Sequence, residues 1–327
     1  MRVAVIGAGS MGALHAELLG ALPEVELAVV DVDAARAVAV AQRAGGRAIG
    51  LEEAMDWAAA IVVATPPEYH AAAVEVAVSR GIHVLCEKPL TDALASSRAL
   101  AEHAADAHVE VGFQRRHDAG LAALREALAD RRIHLVRLTA YDPRFEARGL
   151  DAWPASEVAP IFRDSSIHDF DFVRWVTGQE VLEVTVDASR RDDPRPADPR
   201  GIETALVTMR LSGGTLAELA ASWLHPGGYD IRVEALADGA ALTAGLSPRT
   251  PSRHLEWAHE PADPAWAGYL ERFVPAYRAE LVAFLAAARG EQPPASTARD
   301  GLEAMRIAVA ATRSFVERRT VPLAEVP

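Results

Sequence analysis

Asparagine is absent from this chain of 327 residues, and of its 33 basic residues all but Lys88 are arginine. A compositional bias of the source genome accounts for both facts in bulk, but not for the one exception. Without asparagine there is no N-glycosylation site. The single cysteine, Cys86, excludes an intrachain disulfide and a cysteine-rich metal site, and it suits a reducing, cytoplasmic setting. No metal is expected. Basic residues do not gather in blocks: the net charge is -13, and the pairs Arg115-Arg116 and Arg131-Arg132 are too short to offset it. Nucleic acid and anionic membrane surfaces are therefore excluded as principal partners. No run approaches about 20 uninterrupted apolar residues, so no membrane span is expected. The apolar start "MRVAVIGAG" is too short for the body of a signal peptide.

What is present reads as two domains, with a division at residues 1–118 and 119–327. In the first part, "RVAVIG", "ELAVVD", "AIVVAT", "IHVLCE" and "VEVGF" are continuous apolar runs of strand length, separated by alanine-rich stretches of helical spacing. Strands without polar alternation are buried on both faces, which predicts a parallel sheet with helices above and below. After about residue 130 the runs lengthen and alternate, as in "IHLVRLTAYD", "ETALVTMRLS" and "YDIRVEALAD". Such runs predict a large, mostly antiparallel open sheet with one core face. Two helices, near 266–289 and 297–318, close the chain. The fold class is therefore α/β, a doubly wound parallel domain followed by an α/β domain.

"GAGSMG", Gly7 to Gly12, follows a predicted strand and opens a predicted helix. Gly7 permits the tight turn, Gly9 lets the backbone approach a pyrophosphate, and Gly12 lets helix pack closely on strand. The helix start at Ser10 and Met11 attracts the phosphates. Asp31 ends the next strand, where a carboxylate takes the adenosine ribose hydroxyls and repels a 2′-phosphate, favouring NAD over NADP. Arg36, one turn into the next helix, can soften that preference. A glycine turn that serves packing alone is the competing explanation.

In "ATPPEYH" the end of the fourth strand places Thr65 and Pro66 on the nicotinamide side of the crevice. His70 either reaches that crevice or is an exposed residue of a proline-started helix. Lys88 in "CEKPL" stands one strand further on, with Pro89 ending the strand and aiming the lysine into the same crevice. An ammonium there hydrogen-bonds a substrate hydroxyl and favours a developing alkoxide; planar arginine, which keeps its proton, is a poor substitute. Survival of one lysine by chance is the alternative. Cys86 beside it is either a small core residue or an oxidation-sensitive thiol.

In "DSSIHDFD", Asp164, His168 and Asp171 stand at i, i+4 and i+7 and share a face if the segment is helical. A histidine with carboxylates a turn away on each side can act as a general base. Equally, Asp164 can be the N-cap of that helix and Asp171 can pair with Arg174.

Taken in order, "GAGSMG", "ATPPEYH", "CEKPL", "GFQRRHD", "FRDSSIHDFDFVRWVTG" and "GYDIRVEA" resemble the glucose-fructose oxidoreductase, inositol dehydrogenase and MocA-like oxidoreductases, nearest the inositol 2-dehydrogenase branch. The resemblance spans most of the chain. It implies a Rossmann domain, a C-terminal α/β domain with a large open sheet, bound NAD (NADP less suited), and a homodimer or homotetramer assembled through that sheet. It implies Lys88, Asp164 and His168 as the catalytic trio, Asp171 and Tyr229 as substrate-hydroxyl contacts, and Glu87 of the Glu-Lys-Pro element beside the cofactor. The substrate implied is a cyclic polyol or pyranose sugar, oxidised at a secondary hydroxyl. The chain departs from the branch at Tyr141 and Asp142, where an asparagine or histidine is frequent. Two alternatives stay open: a closed-cycle enzyme with tightly held cofactor, and a non-catalytic NAD sensor. Trp153, in the loop before Asp164, is a candidate pocket cap.

Overall fold

The computed structural model describes residues 1–105, 107–143, 158–190, 202–251 and 263–327; Trp153 and the loop 192–200 lie outside them. The chain forms two compact units, Met1–His117 with Pro275–Met305, and Asp118–Val274 with Arg306–Pro327.

In the first unit the apolar runs become β1 (Arg2–Ile6), β2 (Glu26–Val30), β3 (Arg47–Ala48), β4 (Ala60–Val63), β5 (His83–Cys86) and β6 (Val109–Val111). They pair in the order β3-β2-β1-β4-β5-β6, every pair parallel. All four residues of β4 are fully buried, as continuous apolar runs require when both faces are covered. The connecting helices are α1 (Ser10–Gly20), α2 (Ala34–Ala44), α3 (Leu51–Trp57), α4 (His70–Ser79) and α5 (Leu94–His103). Helix α2 begins where the Asp33 side chain accepts from the Ala35 and Arg36 N–H groups and stops at Gly45, whose φ of 72° is left-handed.

The sequence pattern did not reveal that part of the last third returns to this unit. Leu281, Phe284 and Leu285, from a helix spanning Tyr269–Ala288, lie in one core cluster with Val3, Val5, Leu19 and Val29. Each such side chain contributes about 1.5–3 kcal/mol by leaving water.

In the second unit, α6 (Ala119–Leu128) precedes β7 (Ile133–Tyr141), then come α7 (Pro160–Asp164) and α8 (Ile167–Thr177). The strands β8 (Val181–Arg190), β9 (Ile202–Leu211), β10 (Leu216–Ser222), β11 (Asp230–Ala237) and β12 (Ala240–Ala244) follow. The remaining elements are α9 (Tyr269–Ala288), which the chain follows back into the first unit from Pro275, α10 (Ala298–Glu317) and β13 (Val321–Pro322). The sheet runs β12-β11-β7-β10-β9-β8-β13; β7 and β10 pair parallel and the other neighbours antiparallel. Strand β9 shows the period of two: Ala205, Val207, Met209 and Leu211 are buried while Leu206, Thr208 and Arg210 are exposed. Among the described residues no helix is long and apolar enough to cross a membrane.

Candidate active site

The glycine turn of the first unit is built for close approach. Gly7 has φ 98°, and a Cβ there would stand 2.6 Å from the Ala64 carbonyl oxygen; a Cβ on Gly12 would stand 1.8 Å from the oxygen of Gly7. Around Gly9, by contrast, nothing lies within 4 Å of a Cβ position. Helix α1 starts at Ser10 after Gly9, an N-cap that provides no side-chain hydrogen bond. Strand order reverses between β1 and β4, and the carboxyl ends of those strands deliver Gly7 and Thr65 to the crevice where a nucleotide binds in such sheets. Thr65 Oγ1 is buried with no hydrogen-bond partner. An open glycine, an uncapped helix start and an orphaned hydroxyl fit a bound dinucleotide. Gly12→Ala tests the turn: the clash with Gly7 costs about 1–3 kcal/mol, lowering the thermal midpoint by about 2–4 °C per kcal/mol. A midpoint equal to wild type in a calorimetric scan would contradict this packing.

Asp31 follows β2 and does more than the sequence suggested. Its Oδ2 accepts from the Ala8 N–H at 2.7 Å and its Oδ1 from the Asp33 N–H at 2.8 Å, so it pins the glycine turn to the end of β2. Arg36 pairs with Asp33 at 3.4 Å. Val32 is fully exposed, an apolar surface beside the Asp31 carboxylate that sequence reading passed over.

Pro66 is exposed, and Thr65 half-buried. His70 is buried, and its ring is a brace: Nε2 lies 2.8 Å from the Thr65 carbonyl and Nδ1 lies 3.0 Å from that of Pro89. Neither ring nitrogen is left for a cofactor. Lys88 stands just past β5, half-buried, and its peptide bond to Pro89 is cis. Its backbone N–H donates to Glu87 Oε2 at 3.1 Å, while Glu87 Oε1 lies 2.7 Å from Nε2 of the fully buried His15. Burial pushes the Glu87 carboxyl up, but the hydrogen bond from His15 and the Lys88 charge outweigh it and hold Glu87 below the usual carboxylate range. Cys86 is fully buried, and burial, then the neighbouring Glu87, raises its thiol well above the ordinary value. It behaves as a core residue.

In the second unit Asp164, His168 and Asp171 do not share one helix. Asp164 is the last residue of α7; the N–H groups of Ser165 and Ser166 both donate to the Ile161 carbonyl, which closes that helix before α8 opens at Ile167. Asp164 is therefore not the N-cap of α8, a position held by Ser166. Helix α8 is buried nearly all round, with His168 8% exposed, Asp171 1% and Asp169 0%. With Arg174, four ionisable side chains are buried within this eleven-residue helix, and such groups are seldom buried for packing alone. Arg174 makes a two-pronged pair with Glu180 at 2.7 and 2.8 Å.

Trp223 Nε1 donates to Ser165 Oγ at 2.8 Å, tying the junction of α7 and α8 to the end of β10. That end is in register with Tyr141 at the end of β7, itself opposite Asp230 at the start of β11. Tyr229, immediately before β11, is buried and packs edge-on against Phe273. Tyr141 stacks on His225 at 5.2 Å, and Asp142 is buried beside it in sequence. The α7–α8 junction beside Asp164 is thus tied to the end of the sheet at which Tyr229 precedes β11. Lys88 belongs to the first unit. Sequence reasoning missed Asp169, His15 and Glu280, since burial of a charged residue leaves no mark in spacing. Among the described residues no group of three or more His, Cys, Asp or Glu could hold a metal.

Comparison with known proteins follows this division. Residues 1–114 match the model of an oxidoreductase family with an NAD-binding Rossmann fold, and residues 153–323 match its C-terminal alpha/beta domain. The chain is 37% identical to the myo-inositol dehydrogenase Hyg17 of Streptomyces leeuwenhoekii, over 99% of this chain and 100% of that one. It is 31% identical to the inositol 2-dehydrogenase of Rhizobium meliloti, over 99% of each. The crystal structure of a myo-inositol dehydrogenase from Corynebacterium glutamicum superposes with a TM-score of 0.86 at 30% identity, covering 99% of this chain and 98% of that one. The chain belongs to the glucose-fructose oxidoreductase, inositol dehydrogenase and MocA family, and it is an NAD-binding oxidoreductase.

Proposed function

We propose that this protein oxidises one secondary hydroxyl of an inositol or a similar cyclic polyol to the ketone, with NAD as acceptor. The observation that carries the reading is helix α8, which buries an imidazole among carboxylates in a chain similar along its whole length to inositol dehydrogenases. A polyol offers hydroxyl donors to Asp171 and an acceptor to Tyr229, whereas phosphate esters would meet carboxylates with like charge.

His168 takes the hydroxyl proton. Lys88 holds the same oxygen and stabilises its negative charge as the proton departs. Asp164 balances the positive charge gained by the imidazole. Ser10, Met11 and the glycine turn hold the pyrophosphate, Asp31 the adenosine ribose, and Thr65 and Pro66 border the nicotinamide. NAD, when bound, supplies the hydride acceptor at nicotinamide C4. A 2′-phosphate would face the Asp31 carboxylate, so NAD is preferred over NADP by roughly 10- to 100-fold, about 1.4–2.7 kcal/mol.

Assembly as a homodimer or homotetramer through the open sheet face belongs to the same reading. It is supported by Leu216, Leu135 and Leu236, which stand in one register row, the first and last 46% and 38% exposed.

NADH formation, followed by absorbance with myo-, scyllo- and chiro-inositol, glucose, galactose and xylose, tests the reading. Turnover of an inositol with NAD is expected. Silence across the panel in protein that binds NAD would overturn the substrate class and favour a closed-cycle enzyme or a sensor.

A further inference from the structure

The first unit buries a second acid that the mechanism above does not use. Glu280, on α9, is 2% exposed, and neither of its carboxyl oxygens has a hydrogen-bond partner. A carboxylate so placed would forfeit its hydration with nothing in return, so the side chain keeps its proton. Burial first, then the charges of Glu87 and Glu110, push the group in that direction. One turn earlier on the same helix, Tyr277 meets the His15 ring edge-on at 5.9 Å between centroids. His15, on α1, is fully buried; its Nε2 is engaged with Glu87, and its Nδ1 has no partner. An orphaned acid and an orphaned ring nitrogen therefore lie around one carboxylate, and that carboxylate receives the backbone N–H of Lys88. The groups facing this cluster are Glu87 and Lys88 after β5, Glu110 on β6, His15 on α1 and Tyr277 on α9. Glu110 is itself occupied by the Ala295 N–H at 3.0 Å.

We propose that Glu280, His15 and Glu87 form a positioning relay behind Lys88: Glu280 donates its proton to Nδ1 of His15, which fixes Nε2–H as the donor to an ionised Glu87. The relay has two consequences. The tautomer of His15 is set, because a ring that accepts at Nδ1 must donate at Nε2. Glu87 then keeps one negative charge against the backbone N–H of Lys88, which fixes the segment that aims the ammonium. None of the three touches substrate, and each acts through Lys88.

The inference rests on the proposed role of Lys88 in hydroxyl oxidation, and the test separates the two. Lys88 is the only lysine of the chain, so protein labelled with ¹³C-lysine, made without a lysine-containing tag, gives one lysine signal. In Glu280→Leu, which cannot donate, that signal is expected to change position. The kcat is expected to fall about 10- to 100-fold, with NAD affinity unchanged by calorimetry. Glu280→Gln, whose amide N–H can still donate, restores most of both. Should Glu280→Leu not fold, His15→Phe and His15→Gln form the same pair, the amide of glutamine standing near the place of Nε2.

A lysine signal and kcat identical to wild type in folded Glu280→Leu or His15→Phe would sink the relay. Equal damage in the leucine and glutamine variants would also sink it, reducing Glu280 to packing. If no polyol is turned over but the lysine signal responds as stated, the relay stands and the proposed substrate class fails.

Discussion

Lys88→Met lowers kcat about 100- to 1,000-fold, and Lys88→Arg does little better. Methionine matches the length of the side chain and removes the charge. The ammonium stabilises an oxygen whose negative charge exists mainly in the transition state, so its loss appears in kcat far more than in the binding of NAD. Arginine keeps the charge but spreads it over a plane, hydrogen-bonds in a fixed fork and needs more room. The half-buried site past β5, where Glu87 accepts from the Lys88 backbone N–H, suits a compact point charge. Steady-state kinetics with an inositol and NAD, alongside calorimetric NAD binding, measure both effects. Full activity in Lys88→Arg would mean that the lone lysine of an arginine-rich chain is a survivor of genome composition, without a chemical reason.

His168→Gln lowers kcat/KM about 100- to 10,000-fold. Glutamine preserves hydrogen bonding but cannot accept the proton. The pH profile provides the sharper test. In the wild type kcat/KM falls on acidification, because a protonated imidazole has no lone pair for the substrate proton. The residual activity of His168→Gln lacks that limb and instead rises toward alkaline pH, as the hydroxyl proton is lost to solvent. An acid limb that persists unchanged in the variant would assign it to another group, and the buried Asp169 and Asp171 would be examined next.

Much of the architecture was legible because each local signal agreed with its neighbours. "AIVVAT" has no polar alternation, and β4 is buried on both faces. "ETALVTMRLS" alternates, and β9 has one core face. The glycine turn was legible at the level of single atoms, since Gly7 and Gly12 occupy places where a Cβ would strike the backbone. Candidate residues at strand ends could be named because strand direction in a parallel sheet fixes which ends face the crevice.

Other features lay beyond any spacing rule. The break after Asp164 turns on two N–H groups sharing the Ile161 carbonyl, and nothing in "DSSIHDFD" marks it. His70 looked equally suited to the crevice and to solvent; packing decided for neither, by offering its two nitrogens the carbonyls of residues 65 and 89.

The sequence by itself determined the parallel sheet, the glycine turn with its acidic partner, the change of pattern after residue 130 and the presence of one lysine beside a proline. These are properties of short segments, set by periodicity, backbone freedom and residue chemistry. Tertiary structure alone decided that Pro275–Met305 returns to the first unit and that Asp31 pins the turn through Ala8. It also decided that Glu87 meets His15, 72 residues away, with Glu280 buried nearby. Burial and long-range pairing depend on which surfaces the folded chain brings together, and for a charged side chain the same letter in the sequence serves equally well in water or in the core.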